Sequence, residues 1–237
     1  MRLDRFLCEM NMGTRNQVKA YIRRGLVTVN GAAENRPDSK VDEAADRICF
    51  RGNVVKYRKY IYYMMNKPAG VISARTDSRE ETVLSLLGSG RRDDISPVGR
   101  LDKDTTGLLL LTNDGELAHY LLSPGRHVDK TYHVTAEHPL TPEEIGRLEE
   151  GVEIGEDRPT LPARAEVLPD GRLSLTIREG KFHQVKRMLH AVGNSVLALE
   201  RVSFGGLKLD ENLKPGEYRE LTEAELEILR YSAGITV

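Results

Sequence analysis

The chain has 237 residues, 30% of them charged and 39% hydrophobic, a balance that excludes a disordered or fibrous protein. Its two cysteines are too few for a disulfide scaffold or a cysteine-rich zinc site. The formal net charge of −1, from 35 Lys+Arg against 36 Asp+Glu, argues against a surface that is basic throughout but leaves room for a local basic patch.

From the N-terminus, Leu3, Phe6, Leu7 and Met10 follow the i, i+3, i+4, i+7 spacing of a helix face. Thr14 stands three residues before Gln17, the signature of a capping box, and opens a second helix whose apolar stripe is Val18, Tyr21 and Ile22. Gly25 stops it, and Arg15, Lys19, Arg23 and Arg24 are its exposed positions. The β-branched run 26–29 ends in Asn30-Gly31, a tight-turn signal, and a strand pattern returns at 47–50. The basic stretch Lys56-Tyr57-Arg58-Lys59 leads into a different kind of sequence. Residues 1–60 hold 13 Lys+Arg and 7 Asp+Glu, a net of +6, whereas residues 61–237 hold 22 and 29, a net of −7. Such asymmetry predicts two modules, 1–60 and 61–237, with different partners.

In the second module, strands are predicted at 60–72 (broken around Lys67-Pro68-Ala69-Gly70), 107–112, 130–135 and 195–204. A hairpin is predicted from 164–167 and 172–177 around Pro169-Asp170-Gly171. Helices are predicted at 117–122, after the Thr141-Pro142-Glu143-Glu144 box, at 183–192 and at 222–229. Hairpins with few crossovers point to an α+β fold on a mostly antiparallel sheet. No apolar stretch approaches the ~20 residues that span a bilayer, and the N-terminus has no apolar core of a signal peptide. A cytoplasmic monomer with no membrane partner is expected.

Chemistry concentrates in two places. Gly99-Arg100-Leu101-Asp102-Lys103-Asp104-Thr105-Thr106-Gly107 sets carboxylates and hydroxyls directly before an apolar strand. Its plain reading is a solvated Asx turn. Its functional reading is a carboxylate held on a rigid loop as a nucleophile or base, and spacing alone does not choose between Asp102 and Asp104. Gly180-Lys181-Phe182-His183-Gln184-Val185-Lys186-Arg187-Met188 opens a helix on which one cation can pair with a loop carboxylate and keep it ionised. His183 has no second ligand at i+4, so a metal is not expected. Tyr132, a strand tyrosine, can either pack or offer its face to a base. Signatures for nucleotide hydrolysis, dinucleotide redox chemistry, zincin proteolysis and α/β-hydrolase chemistry are missing, so no cofactor is expected.

These motifs, with Asn66-Lys67-Pro68-x-Gly70 and Lys130-Thr131-Tyr132 in the same order, resemble those of the RNA pseudouridine synthases, in the RsuA-like branch of small-subunit ribosomal RNA type. The segment from Arg2-Leu3-Asp4-Arg5-Phe6-Leu7 through Val29-Asn30-Gly31 resembles the S4 RNA-binding domain. The resemblance implies isomerisation of a uridine in ribosomal RNA without a cofactor. It implies Asp102 as the catalytic aspartate, Tyr132 stacked on the target base, and Lys186 paired with Asp102 where most relatives carry arginine. Asp104 becomes a supporting residue. Arg100, Lys67, Lys130, His183 and Gln184 complete the substrate-binding set around the reacting nucleotide, and Arg15, Lys19, Arg23 and Arg24 meet RNA phosphates. Two other readings are a non-catalytic S4-type RNA-binding or ribosome-assembly factor, and an α+β hydrolase with Asp102 and Asp104 as a carboxylate pair. The second leaves the basic module unexplained.

Overall fold

A computed structural model describes residues 1–88 and 92–235. Two compact units emerge from it: Met1–Ile61 with Leu87–Ile95, and Tyr62–Leu86 with Ser96–Val237.

In the first unit, helix α1 (Leu3–Glu9) buries Leu3, Phe6 and Leu7, as its spacing requires. Helix α2 (Arg15–Arg23) begins with a complete Thr14–Gln17 capping box and buries Val18 and Ile22. Strands β1 (Val27–Val29) and β2 (Ala32–Ala33) form a hairpin through Asn30 (φ 52°) and Gly31 (φ 87°). Two successive positive φ values are what a tight turn between twisted strands demands, which is why Asn-Gly occupies it. Strands β3 (Ile48–Phe50) and β4 (Asn53–Val54) extend the sheet in the order β2-β1-β3-β4. Val27 and Ile48 close the core over both helices.

The Leu87–Ile95 excursion is missing from a division at residue 60. Its anchor is Arg92, 6% exposed, whose guanidinium donates to the carbonyls of Arg58 (3.0 Å) and Lys59 (3.1 Å) and pairs with Asp94 at 2.7 Å. No element or motif is predicted at 87–95 from sequence. A buried arginine satisfying carbonyls more than thirty residues away leaves no local pattern.

The second unit is a mixed sheet built from β5 (Tyr62–Lys67), β6 (Ser96–Pro97), β7 (Thr106–Thr112), β8 (Lys130–Ala136), β9 (Arg164–Val167), β10 (Leu173–Ile177), β11 (Val196–Phe204), β12 (Leu207–Lys208) and β13 (Tyr218–Glu220). The path is β13-β5-β7-β11-β8-β10-β9, with β12 on β11 and β6 on β7. Its pairings are antiparallel except for β7 with β11, so the α+β expectation holds. That parallel pair is tight at Gly107 (φ 96°), where a Cβ would stand 2.3 Å from the Arg201 carbonyl oxygen. Leu108–Leu111 on β7 is buried along its whole length, which explains a continuous apolar run rather than an alternating one.

Helices α3 (Gly115–Leu122), α4 (Pro142–Glu150), α5 (Gln184–Ala191) and α6 (Glu223–Ser232) lie in the same unit. Leu117, Leu121, Leu226 and Leu229 pack with Met64, Leu108, Leu110 and Phe204 in one core cluster. Helix α6 runs three residues past the predicted end, because Arg230-Tyr231-Ser232 continues the backbone without continuing the apolar period. Among the described residues no helix is long and apolar enough to cross a membrane.

Candidate active site

The loop from Val98 to Thr105 connects β6 to β7 and is fixed through its backbone. The Ser73 hydroxyl donates to the Leu101 carbonyl (2.9 Å) and accepts from the Leu101 N–H (3.0 Å), clamping the residue before Asp102 from both sides. The Lys67 ammonium, fully buried, donates to the carbonyls of Pro68 (3.0 Å), Lys103 (3.3 Å) and Thr105 (2.9 Å). Burial pushes it down to about 8, against the opposing pull of the Asp104 and Asp102 charges. The Gly70 N–H donates to the Lys103 carbonyl at 2.8 Å, and the Thr105 N–H closes a turn on the Asp102 carbonyl at 3.1 Å. This loop is therefore held along its length, and the plain picture of a solvated turn does not describe it.

Asp102 faces the start of α5. Its Oδ2 lies 3.3 Å from Lys186 Nζ, and its Oδ1 lies 3.5 Å from His183 Nε2. The same ammonium reaches Asp104 Oδ1 at 2.6 Å, so Lys186 bridges both carboxylates and sits nearer the more exposed one. The hydrogen bond from Lys186 holds the Asp104 carboxyl below its ordinary range. Burial works to lower the Lys186 ammonium, but the hydrogen bond to Asp104 and the charges of both carboxylates outweigh it, and the net shift is upward.

His183 precedes α5 in the left-handed region (φ 48°), a conformation that aims its ring back toward the loop instead of capping the helix. Gln184 is buried. Its amide donates to Glu179 (2.8 Å) and accepts from the Lys181 N–H (2.9 Å), so the side chain pins the turn while lining the cleft described below. Lys67 supports the site in the same way: its three hydrogen bonds go to the loop backbone.

An open cleft of about 790 Å³ lies against Asp102, within the range of small-ligand sites. Tyr132 on β8 lines it, 8% exposed, in register with Leu175 on β10 and Arg201 on β11. Lys130, two residues earlier, points to the same side of the strand. Its ammonium donates to the Val128 carbonyl (3.1 Å), and burial, then the nearby Arg201 charge, pushes it down to about 8. Arg201, 2% exposed, donates through Nε to the Leu108 carbonyl at 2.8 Å. Six cations (Arg100, Lys103, Lys130, Arg178, Lys181 and Arg201) line the cleft against two carboxylates, Asp102 and Glu179. Lys103 is paired with Glu80 and Arg178 with Asp129. Arg100, exposed, and the buried Lys130 and Arg201 have no carboxylate partner among the described residues.

In the other unit, Arg15, Lys19 and Arg23 follow at four-residue spacing along α2, beside the buried Val18 and Ile22, with Arg24 as the residue after the helix; Arg15, Arg23 and Arg24 are exposed, whereas Lys19, expected to be exposed, is half-buried. None of the four forms an ion pair among the described residues. Ser73 and Arg201 were not anticipated from sequence. A lone serine 28 residues from its partner gives no local signal, whereas an arginine inside the otherwise strand-like 195–204 run was a visible anomaly.

The comparisons with known proteins agree on one family. Residues 61–191 match the RNA pseudouridylate synthase family model, and residues 1–48 match the S4 domain. The chain is 49% identical over 234 residues to a Bacillus subtilis (strain 168) protein named uncharacterized RNA pseudouridine synthase YtzG, covering 97% of this chain and 98% of that one. It is 41% identical over 227 residues to ribosomal small subunit pseudouridine synthase A of Vibrio cholerae, covering 95% and 98%. A protein of the same name from Haemophilus influenzae is 40% identical over 232 residues, with 97% and 99% covered. Among solved structures, the crystal structure of a pseudouridylate synthase superposes with a TM-score of 0.69 at 38% identity, covering 97% of this chain and 99% of the other. The chain belongs to the RNA pseudouridine synthase family and carries an S4 domain at its N-terminus.

Proposed function

We propose that the protein isomerises one uridine of small-subunit ribosomal RNA to pseudouridine, with Asp102 as its catalytic carboxylate. The observation that carries this reading is Asp102 itself: a carboxylate on a backbone-clamped loop, 3.3 Å from the Lys186 ammonium, opening into a cleft in which cations outnumber carboxylates. The relatives named for the small ribosomal subunit supply the substrate class.

The reaction breaks the N–C glycosidic bond, rotates the freed base and forms a C–C bond. Its substrate atoms are hidden while the base is stacked, so the uridine turns out of the RNA, which costs a few kcal/mol. Stacking on Tyr132 offsets roughly 1–3 kcal/mol of that. Asp102 then acts on the flipped nucleotide as nucleophile or as general base. Lys186 holds the carboxylate in position as a point charge, without the paired hydrogen bonds of an arginine. Arg100 at the mouth and Lys130 on the floor face the backbone and base of the incoming nucleotide, and His183 borders the reacting carboxylate.

Residues 1–60 act as the RNA-binding module and 61–237 as the catalytic one. Arg15, Lys19, Arg23 and Arg24 meet phosphates and position the RNA without reading its sequence. The protein acts as a monomer in this reading, and ribosomal RNA as substrate suits the cytoplasm. Mapping pseudouridines in ribosomal RNA from cells with and without the gene tests the reading. One small-subunit site should vanish and return only with the wild-type gene, not with Asp102→Asn. An unchanged pseudouridine map, or the loss of a large-subunit site, contradicts it.

A further inference from the structure

Phe182 is 72% exposed, an unusual setting for a phenylalanine on an otherwise polar turn. It lines the same cleft as Asp102. One face of its ring lies on the His183 imidazole, with centroids 3.8 Å apart and planes within 19°. His183 in turn approaches Asp102 to 3.5 Å. Three groups thus follow in sequence from the carboxylate outward: Asp102, His183, then Phe182 with its outer face open.

The exposure does not come from a loose backbone. The Phe182 carbonyl accepts from Arg187 Nη1 at 3.0 Å, and that guanidinium is tied to Glu156 at 2.7 Å and to the Ile154 carbonyl. On the other side, Lys181 is fixed by its N–H on Gln184 and by its ammonium on the carbonyls of Arg158 and Pro159, each at 3.3 Å. Together these hydrogen bonds hold an aromatic face toward solvent at the rim of the cleft.

We propose that Phe182 is a stacking platform for the unpaired RNA base adjacent to the flipped uridine, an inference that rests on the RNA-modifying reading above. A flat π-face matches any base and gives affinity without sequence readout. The exposed Arg100 on the same cleft, with no carboxylate partner among the described residues, suits a phosphate beside a base, and the excess of cations there disfavours an apolar protein segment. A flipped nucleotide also leaves its neighbour with one face unstacked. Phe182 covers that face while the target base occupies the cleft.

The test uses full-length protein and a small-subunit ribosomal RNA fragment containing the modified uridine, with 2-aminopurine placed on either side of it. With wild-type protein, one 2-aminopurine should be quenched on binding. Phe182→Ala should abolish the quench and raise KM about 5- to 150-fold, the range for losing one base–aromatic stack, with kcat within about twofold. Phe182→Tyr should restore both readouts, whereas Phe182→Leu, with similar bulk and no π-face, should not. A drop in kcat at unchanged KM would show that Phe182 only steadies His183, and equal rescue by leucine would show that it only fills space. Either result overturns the proposal. Wild-type protein that forms no pseudouridine in any ribosomal RNA overturns the functional reading and this inference with it.

Discussion

At the scale of single residues, the loop that presents Asp102 is controlled from behind. Ser73 holds both backbone groups of Leu101, and Lys67 gathers three carbonyls around the following turn. Ser73→Ala leaves a buried N–H and C=O unpaired, which costs about 1–3 kcal/mol. The expected result is a lowered melting temperature and a kcat that falls more than KM changes, since the carboxylate is displaced while the cleft survives. The two loop aspartates separate in the same way. Asp104 is the more exposed and sits closer to Lys186, so Asp104→Asn should leave isomerisation within about tenfold of wild type. Steady-state kinetics on the RNA fragment decide it, and a loss as deep as that of an Asp102 variant would reassign the reaction. Residue types and spacing left these two carboxylates equivalent, and the family motif singled out Asp102. What no local pattern carried was the support: Lys67 and Gln184 belong to recognisable motifs, yet their side chains bond to the protein itself.

At the scale of elements, caps and turns were legible because they are local. The Thr14, Thr141 and Thr222 boxes and the Asn30-Gly31 turn form where their residues predict. The two-residue strands β6 and β12, and the short β13, were not legible, since each exists only by pairing with another strand. Helix α6 is tied down by side chains outside it. Arg219 binds Glu225 through two hydrogen bonds of 2.8 and 2.7 Å and Asp210 at 2.6 Å. The Arg219 guanidinium draws the Glu225 carboxyl from its ordinary 4.5 down to about 2. A carboxyl lowered on folding stabilises fully above its unfolded pKa and loses that contribution as pH falls through the folded value. Glu225→Gln keeps the capping box while removing the charge. After discounting for partial exposure, it should lower stability by about 1–2 kcal/mol at pH 7. Thermal melts of variant and wild type should converge between about pH 4.5 and pH 2, and a constant offset across that window would contradict the assignment. Gly107→Ala is a harsher test of the sheet. It combines a positive φ with a 2.3 Å approach to backbone, so β7 and β11 would have to separate, and a loss of more than about 3 kcal/mol in denaturant unfolding is expected.

At the scale of the whole molecule, the net charge of −1 conceals two levels of organisation. The first, +6 against −7, was readable by dividing the sequence. The second was not: within the acidic portion, the fold draws six cations from distant segments around one cleft and leaves only two carboxylates there. The Leu87–Ile95 excursion also changes how the basic module should be tested. Deleting residues 1–60 would strip Arg92 of the carbonyls it satisfies, so neutralising the α2 face is the cleaner experiment. Changing Arg15, Lys19, Arg23 and Arg24 together to Gln should weaken RNA binding and flatten its dependence on salt. The slope of log K against log[salt] should become shallower by about 0.7–0.9 for each phosphate no longer neutralised. An unchanged slope would remove that face from the RNA interface. The central claim is narrower than any of these, that Asp102 carries the isomerisation. Its most direct measurement is pseudouridine formation by purified Asp102→Asn protein, alongside RNA affinity on the same preparation. Turnover should fall by at least about 10³-fold while affinity stays within about threefold. Pseudouridine formed at a rate near wild type would contradict the claim.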